Sequence, residues 1–344
     1  MIDFRYHLVS LISVFLALAV GIILGAGPLQ GALGETLTRQ VDTLREERNV
    51  LRTELDTATS RLNADEVYLA AAAPRLVDGT LLGRRVAVVG LGDVPSGVRA
   101  GVIDQLESAG ADVVVSAKLP MNWTEAAEES TRATVAEGLR GTLADAGVET
   151  SEDTPVATLA SAVTLALTGT ESAGNRSATA VDLDQQLQTF GLLRTANEQT
   201  LPANAVVLLS TAVQADEVQE AEGVETTPAD EETAPAGDVD GASAPSTEPA
   251  SPRYAGDIWT DVAIGVEKVA GPSVLAGPAT DGDDVVDRVR SDDDLARELS
   301  TVSEVTTLAS RITVPLALAA ALDGHVDHFG PEADTSALPP MPQN

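Results

Sequence analysis

From residue 8 to residue 26 the sequence LVSLISVFLALAVGIILGA runs for nineteen positions without a charge. As a helix rising about 1.5 Å per residue it spans roughly 28 Å, close to the hydrocarbon thickness of a bilayer. The run predicts a single membrane crossing. After a short joint containing Gly27, Pro28, Gly31 and Gly34 the pattern changes to a heptad. Leu37, Val41, Leu44, Arg48, Leu51, Leu55, Ala58 and Leu62 recur at alternating steps of four and three, the spacing of a coiled-coil seam. With Val41, Arg48, Leu55 and Leu62 at a and Leu37, Leu44, Leu51 and Ala58 at d, Glu47 and Arg52 attract across a parallel homodimer. A single amphipathic helix packed on its own domain is the other reading of this stripe.

Pro74 and Gly79 predict the end of that helix. The apolar run at 85–89, a helical pattern over 97–109 and a second run at 112–115 then form one βαβ unit. Helices are predicted at 125–146, 156–167, 182–193, 258–269, 285–290 and 308–322, with further strands at 205–209, 273–276 and 301–305. Short strands that are apolar throughout belong to parallel sheets buried on both faces. The fold class is therefore α/β, with a Rossmann-like three-layer body. Between 214 and 253 the composition turns to Glu, Asp, Pro, Ala, Thr and Ser, and Arg253 is its first base. Such a segment cannot bury enough apolar surface to offset ordering entropy, so it reads as a disordered acidic insertion in the body. The predicted organisation is a membrane anchor over 1–28, a stalk over 29–73, a body over 74–330 carrying the insertion, and a Pro-rich tail over 331–344.

Charge narrows the partners. Against 53 acids stand 21 bases, a formal net charge of −32, and Lys118 and Lys268 are the only lysines. Phosphate backbones need clustered bases, so a nucleic-acid partner is excluded. There is no cysteine, which excludes disulfides, thiolate metal sites and cysteine nucleophiles. Arg5 and His7 precede the apolar run and Glu35 is the first charge after it, which favours a cytoplasmic N-terminus and a body outside. A cleaved signal peptide is the alternative, but the apolar run is long for one and the small-residue pair Gly25 and Gly27 is followed by Pro28.

Candidate chemistry is sparse. Gly90-Leu91-Gly92 follows the first strand, where a dinucleotide fingerprint would sit, yet the next glycine is Gly97, Pro95 interrupts the turn, and the second strand is followed by no ribose-binding acid. No GxSxG elbow or SxxK pair occurs, and the histidines are His7, His325 and His328 alone. A non-enzymatic protein is expected. The local metal candidate is HVDH, in which His325, Asp327 and His328 offer the N and O ligands that copper accepts; a polar turn closing the last helix is the other reading. Aromatic residues at 3 % and helices alternating with short strands do not read as a transmembrane barrel.

The opening MIDFRYHLVSLISVFLALAVGIILGAGPL, leading into the coil, resembles the start of the actinobacterial MctB-like copper-transport family. The stretch from Ser303 through Ile312 and Leu318 to HVDHFG and LPP is similar to the end of the same family. The resemblance implies an envelope protein of copper homeostasis, described for the family as an outer-membrane channel component. A related SteB-like branch is implicated in daughter-cell separation with a partner protein. The resulting expectation is a single-pass protein of the cell envelope with an extracytoplasmic body. It would dimerise through its coil, engage an envelope partner protein, and bind no cofactor beyond weakly held copper.

Overall fold

The computed structural model describes residues 4–150, 154–172, 174–212, 252–279, 282, 284–333, 335–336 and 338–339. The chain divides into two compact units, Met1–Tyr68 and Leu69–Asn344. Helix α1, Phe4–Val77, supplies the described part of the first unit and opens the second. Its backbone stays helical through Gly27, Pro28, Gly31 and Gly34, where the sequence predicts a joint; the side chains of residues 24–38 lie outside the described residues. A glycine costs about 1 kcal/mol and a proline about 3 kcal/mol in a helix interior. Breaking the helix would instead leave the unpaired backbone groups of two new ends. Pro74 is also helical, contrary to the expected break: it still offers its carbonyl to the Asp78 amide at 3.1 Å, and the helix ends at Val77, before Gly79 at φ +73°.

Within the second unit the order is β1 (Arg85–Leu91), α2 (Ser96–Ser108), β2 (Asp112–Leu119), two 3-10 turns (Met121–Trp123 and Ala126–Glu128), α3 (Glu129–Asp145), α4 (Pro155–Thr168) and α5 (Ala178–Thr189). It continues with β3 (Arg194–Thr195), β4 (Ala205–Leu209), α6 (Pro252–Ala270), β5 (Ser273–Ala276), α7 (Val285–Ser291), α8 (Leu295–Glu298), β6 (Ser300–Val302), α9 (Leu308–Leu322) and β7 (His328–Phe329). Of the acidic insertion predicted over 214–253, residues 214–251 lie outside those described, while Pro252 and Arg253 belong to α6.

The strands form one mixed sheet in the order β3-β2-β1-β4-β5-β6-β7. Every neighbouring pair is parallel except β2 with β3. Side chains alternate across the sheet, so β1 sends Ala87, Val89 and Leu91 into one core and Val86 and Val88 into the other. The first core is closed by α3, α4, α5, α6 and α7, the second by α2, α9 and the last turns of α1 through Ala73 and Val77. Burial on both faces is why β1, β4 and β5 read as unbroken apolar runs.

Helix α4 is almost wholly buried and packs closely against α6. A Cβ at Gly265 would collide with the Ala157 carbonyl oxygen and lie 2.7 Å from Ala160 Cβ. The hydroxyl of Ser161 donates to the Gly265 carbonyl at 3.1 Å, joining the two helices where they are nearest. Small residues on both helices create this approach.

Candidate functional site

The terminal HVDH segment folds as a turn and an edge strand. After α9, Gly324 adopts φ +80° and the His325 amide donates to the Ala320 carbonyl at 2.9 Å, a left-handed helix stop that only glycine takes without strain. His325 is left exposed in the turn. Asp327 is engaged at both oxygens: Oδ1 accepts from the His328 amide at 2.8 Å and Oδ2 from the Ser336 hydroxyl at 3.1 Å. His328 begins β7, with Nδ1 2.9 Å from Thr301 Oγ1. The same hydroxyl oxygen accepts from Arg290 Nε at 2.8 Å, so one side chain joins His328 to Arg290. Among the described residues no three His, Asp or Glu side chains are grouped to hold a metal ion.

Arg290 is the hub here, and sequence reasoning missed it. Its side chain is 11 % exposed; Nη2 donates to the Phe329 carbonyl at 3.0 Å and Nη1 lies 3.4 Å from Glu332 Oε2. The same carboxylate oxygen accepts from Ser303 at 2.7 Å. A Cβ at Gly330 would collide with both Ser303 and Glu332, so glycine lets the chain turn tightly over the sheet edge. Ser336 then bridges back to Phe329. This network ties the segment around Glu332 to β6.

After β1 the backbone at Gly92 packs closely against its neighbours. A Cβ on Gly92, at φ +69°, would sit 2.8 Å from Met121 Sδ and 3.6 Å from the Trp259 ring. Lys118 pairs with Asp93 beside it. Burial is the main cause that raises the Asp261 carboxyl, helped by Asp257 and opposed by a 2.8 Å hydrogen bond from Thr154; burial and then Glu298 raise Glu267. These groups lie on α6 away from HVDH in sequence and join no donor cluster among the described residues.

The exposed face of α1 presents the other candidate surface. Val41, Leu44, Leu51, Leu55 and Leu62 are 43 to 68 % exposed, and Ala58 and Arg48 are exposed with them. Arg48 Nη2 donates to Asn49 Oδ1 at 3.3 Å; the side chain of Leu37 lies outside the described residues. The apolar run before it, over Tyr6–Ile23, is long enough to cross a membrane and none of it is buried. Monomeric soluble proteins rarely expose apolar surface of this extent.

The family described as copper transport outer membrane protein, MctB, matches residues 1–340. The chain belongs to the MctB family. Copper transporter MctB of Mycobacterium tuberculosis and copper transporter MctB of Mycobacterium bovis are each 27 % identical to it over 346 aligned positions, covering 96 % of this chain and 96 % of theirs. The MctB match includes the apolar helix, the heptad stripe and the HVDHFG turn. The MctB description names copper transport, not a catalytic activity.

Proposed function

We propose that this chain serves copper homeostasis as a non-enzymatic, single-span envelope protein that dimerises through the stalk of α1. The carrying observation is the exposed apolar stripe from Val41 to Leu62, which follows an unburied run of membrane length on the same helix. In the heptad register a parallel pair sets Glu47 against Arg52 and Arg61 against Glu66 of the second copy, with no like charges at the g and e positions facing each other. Helices leaving one membrane face are already parallel and concentrated, which favours this pairing.

The strand order β3-β2-β1-β4-β5-β6, with helices over both faces, supports a Rossmann-like body, although β3 runs antiparallel. That likeness lends no activity by itself. The body stands outside the cytoplasm, with residues 1–7 inside. Protease added to intact spheroplasts should therefore remove the body and leave a small N-terminal fragment; full protection of the body would reverse this topology.

Copper is cargo that the body holds weakly. His325, Asp327 and His328 are its local donors, yet a Cu(II) ion there has to take Asp327 from Ser336 and compete with the Thr301 contact of His328. There is no cysteine, and Met1, Met121 and Met341 are scattered in sequence, so a soft Cu(I) relay has no ligand run. Calorimetric titration of the full chain with Cu(II) should give a dissociation constant of roughly micromolar or weaker. The paired substitution His325→Ala and His328→Ala should abolish the heat. Tight stoichiometric binding that survives the substitutions would place the copper site elsewhere.

A further inference from the structure

Helix α1 runs without a break from Phe4 to Val77, so the run of membrane length and the heptad stripe share one helical phase. Two heptads separate Ile23 from Leu37. Counting the stalk register back over them puts Val20 and Ser13 at a, and Ile23, Leu16 and Val9 at d. All five side chains are exposed in the single chain, as is the rest of the run around them. A straight helix drifts about 20° per heptad away from such a register. A seam that begins in the stalk therefore stays aligned this far only if the two helices go on coiling about each other.

The order of large and small residues within the run points to the same face independently of the stalk. Between residues 8 and 19 the small side chains are Ser10, Ser13, Ala17 and Ala19, and the register places them at e, a, e and g, on the seam or beside it. The outward positions b, c and f are taken by Leu8, Leu11, Val14, Phe15 and Leu18. Bilayer helices pack over small residues, which let their backbones approach. Ser13 enters the seam with its hydroxyl already donating to the Ser10 carbonyl at 2.9 Å, so its polar hydrogen has a partner within the hydrocarbon. The pair Gly21 and Gly25, spaced as a GxxxG contact, falls instead at b and f on the far side, and a drift of about 40° over two heptads does not turn it to the seam. We propose that the stalk seam continues through the bilayer: a second copy of this chain packs on the Ser13, Leu16, Val20 and Ile23 face in a left-handed crossing of about +20°, and the glycine pair faces lipid. This rests on the stalk pairing proposed above.

Single cysteines in the otherwise cysteine-free full chain, oxidised with iodine in native membranes, read the paired face directly. Leu16→Cys and Val20→Cys are expected to give about tenfold more disulfide-linked dimer than Leu18→Cys and Gly21→Cys, because a disulfide forms only where the two Cα atoms come within about 7 Å. Adding Gly21→Ile to Leu16→Cys should leave its yield unchanged. Leu51→Cys reports on the stalk alongside. Efficient Leu51→Cys linkage with equal yields at the four membrane positions, high or absent, or with Gly21→Cys in the lead, overturns the continued seam and leaves the stalk pairing standing. Loss of the Leu16→Cys dimer on adding Gly21→Ile does the same. A Leu51→Cys chain that stays monomeric overturns both.

Discussion

If the exposed stripe of α1 pairs two copies as proposed, replacing Leu51 and Leu55 together with asparagine is expected to convert that dimer to monomer. Each is a d or a residue of the stalk seam, 64 and 66 % exposed in the single chain, so the apolar surface has to be covered by a second copy or by water. A dimer buries four such leucines at about 1.5 kcal/mol each, roughly 6 kcal/mol together, so losing them weakens association about 10⁴-fold. Two asparagine layers add unpaired amides to the seam, which increases the loss. Arg48→Leu should act in the opposite direction. In a parallel pair the two Arg48 guanidinium groups share one a layer, and their long stems relieve the repulsion only by reaching outward. Sedimentation equilibrium of the full chain in detergent reads both changes. If the asparagine pair sediments like the parent, the stripe is not the interface.

Gly265→Ala is the second large effect, and it acts on the body alone. In an exposed helix interior this exchange would stabilise by about 1 kcal/mol. Here the added methyl strikes the Ala157 carbonyl oxygen and crowds Ala160, and backbone cannot swing aside as a flexible side chain can. Separating α4 from α6 to make room also stretches the Ser161 hydrogen bond to Gly265, now 3.1 Å. Overpacking of this kind costs about 3 kcal/mol, which lowers the melting temperature of a body this size by roughly 6 to 12 °C. Calorimetric melting checks it, with Gly138→Ala on α3 as a control, because nothing lies within 4 Å of a Cβ at Gly138. Equal melting temperatures for Gly265→Ala and the parent would mean that the two helices are packed less closely than described.

How far the fold is legible in the sequence depends on where each element sits. The predicted runs at 205–209 and 273–276 coincide with β4 and β5, because a central parallel strand buried on both faces leaves an unbroken apolar signature. Strand β2 is nearer the edge, and Ser116 and Lys118 interrupt its second half, so the apolar pattern ends at Val115 while the strand continues to Leu119. The two-residue strands β3 and β7 have no periodicity to detect. Helix α5 begins at Ala178, four residues before the predicted 182, because Ser177 caps the Ala180 amide. Strand β6 ends at Val302, ahead of the predicted 305, where Glu304 takes φ 53°.

The candidate sites differ in the same way. The stalk stripe is local and repeats, so its positions can be read directly from the heptad. HVDH is local too: its residues follow the Gly324 turn at the end of α9, and His328 begins β7. What the sequence hides is the tie that holds it: Arg290 lies 42 positions from Glu332, and nothing local marks one as the partner of the other.

Because the chain has no cysteine, a single introduced thiol gives the most direct test of the proposed parallel stalk. Leu51→Cys places a sulfur at a d position, where a parallel pair brings the two copies of residue 51 together across the seam. Thr53→Cys places one at the outward f position of the same turn. Oxidised in native membranes, Leu51→Cys should yield a disulfide-linked dimer while Thr53→Cys stays monomeric. Equal cross-linking at both positions, or none at Leu51→Cys, would contradict a parallel dimer in this register.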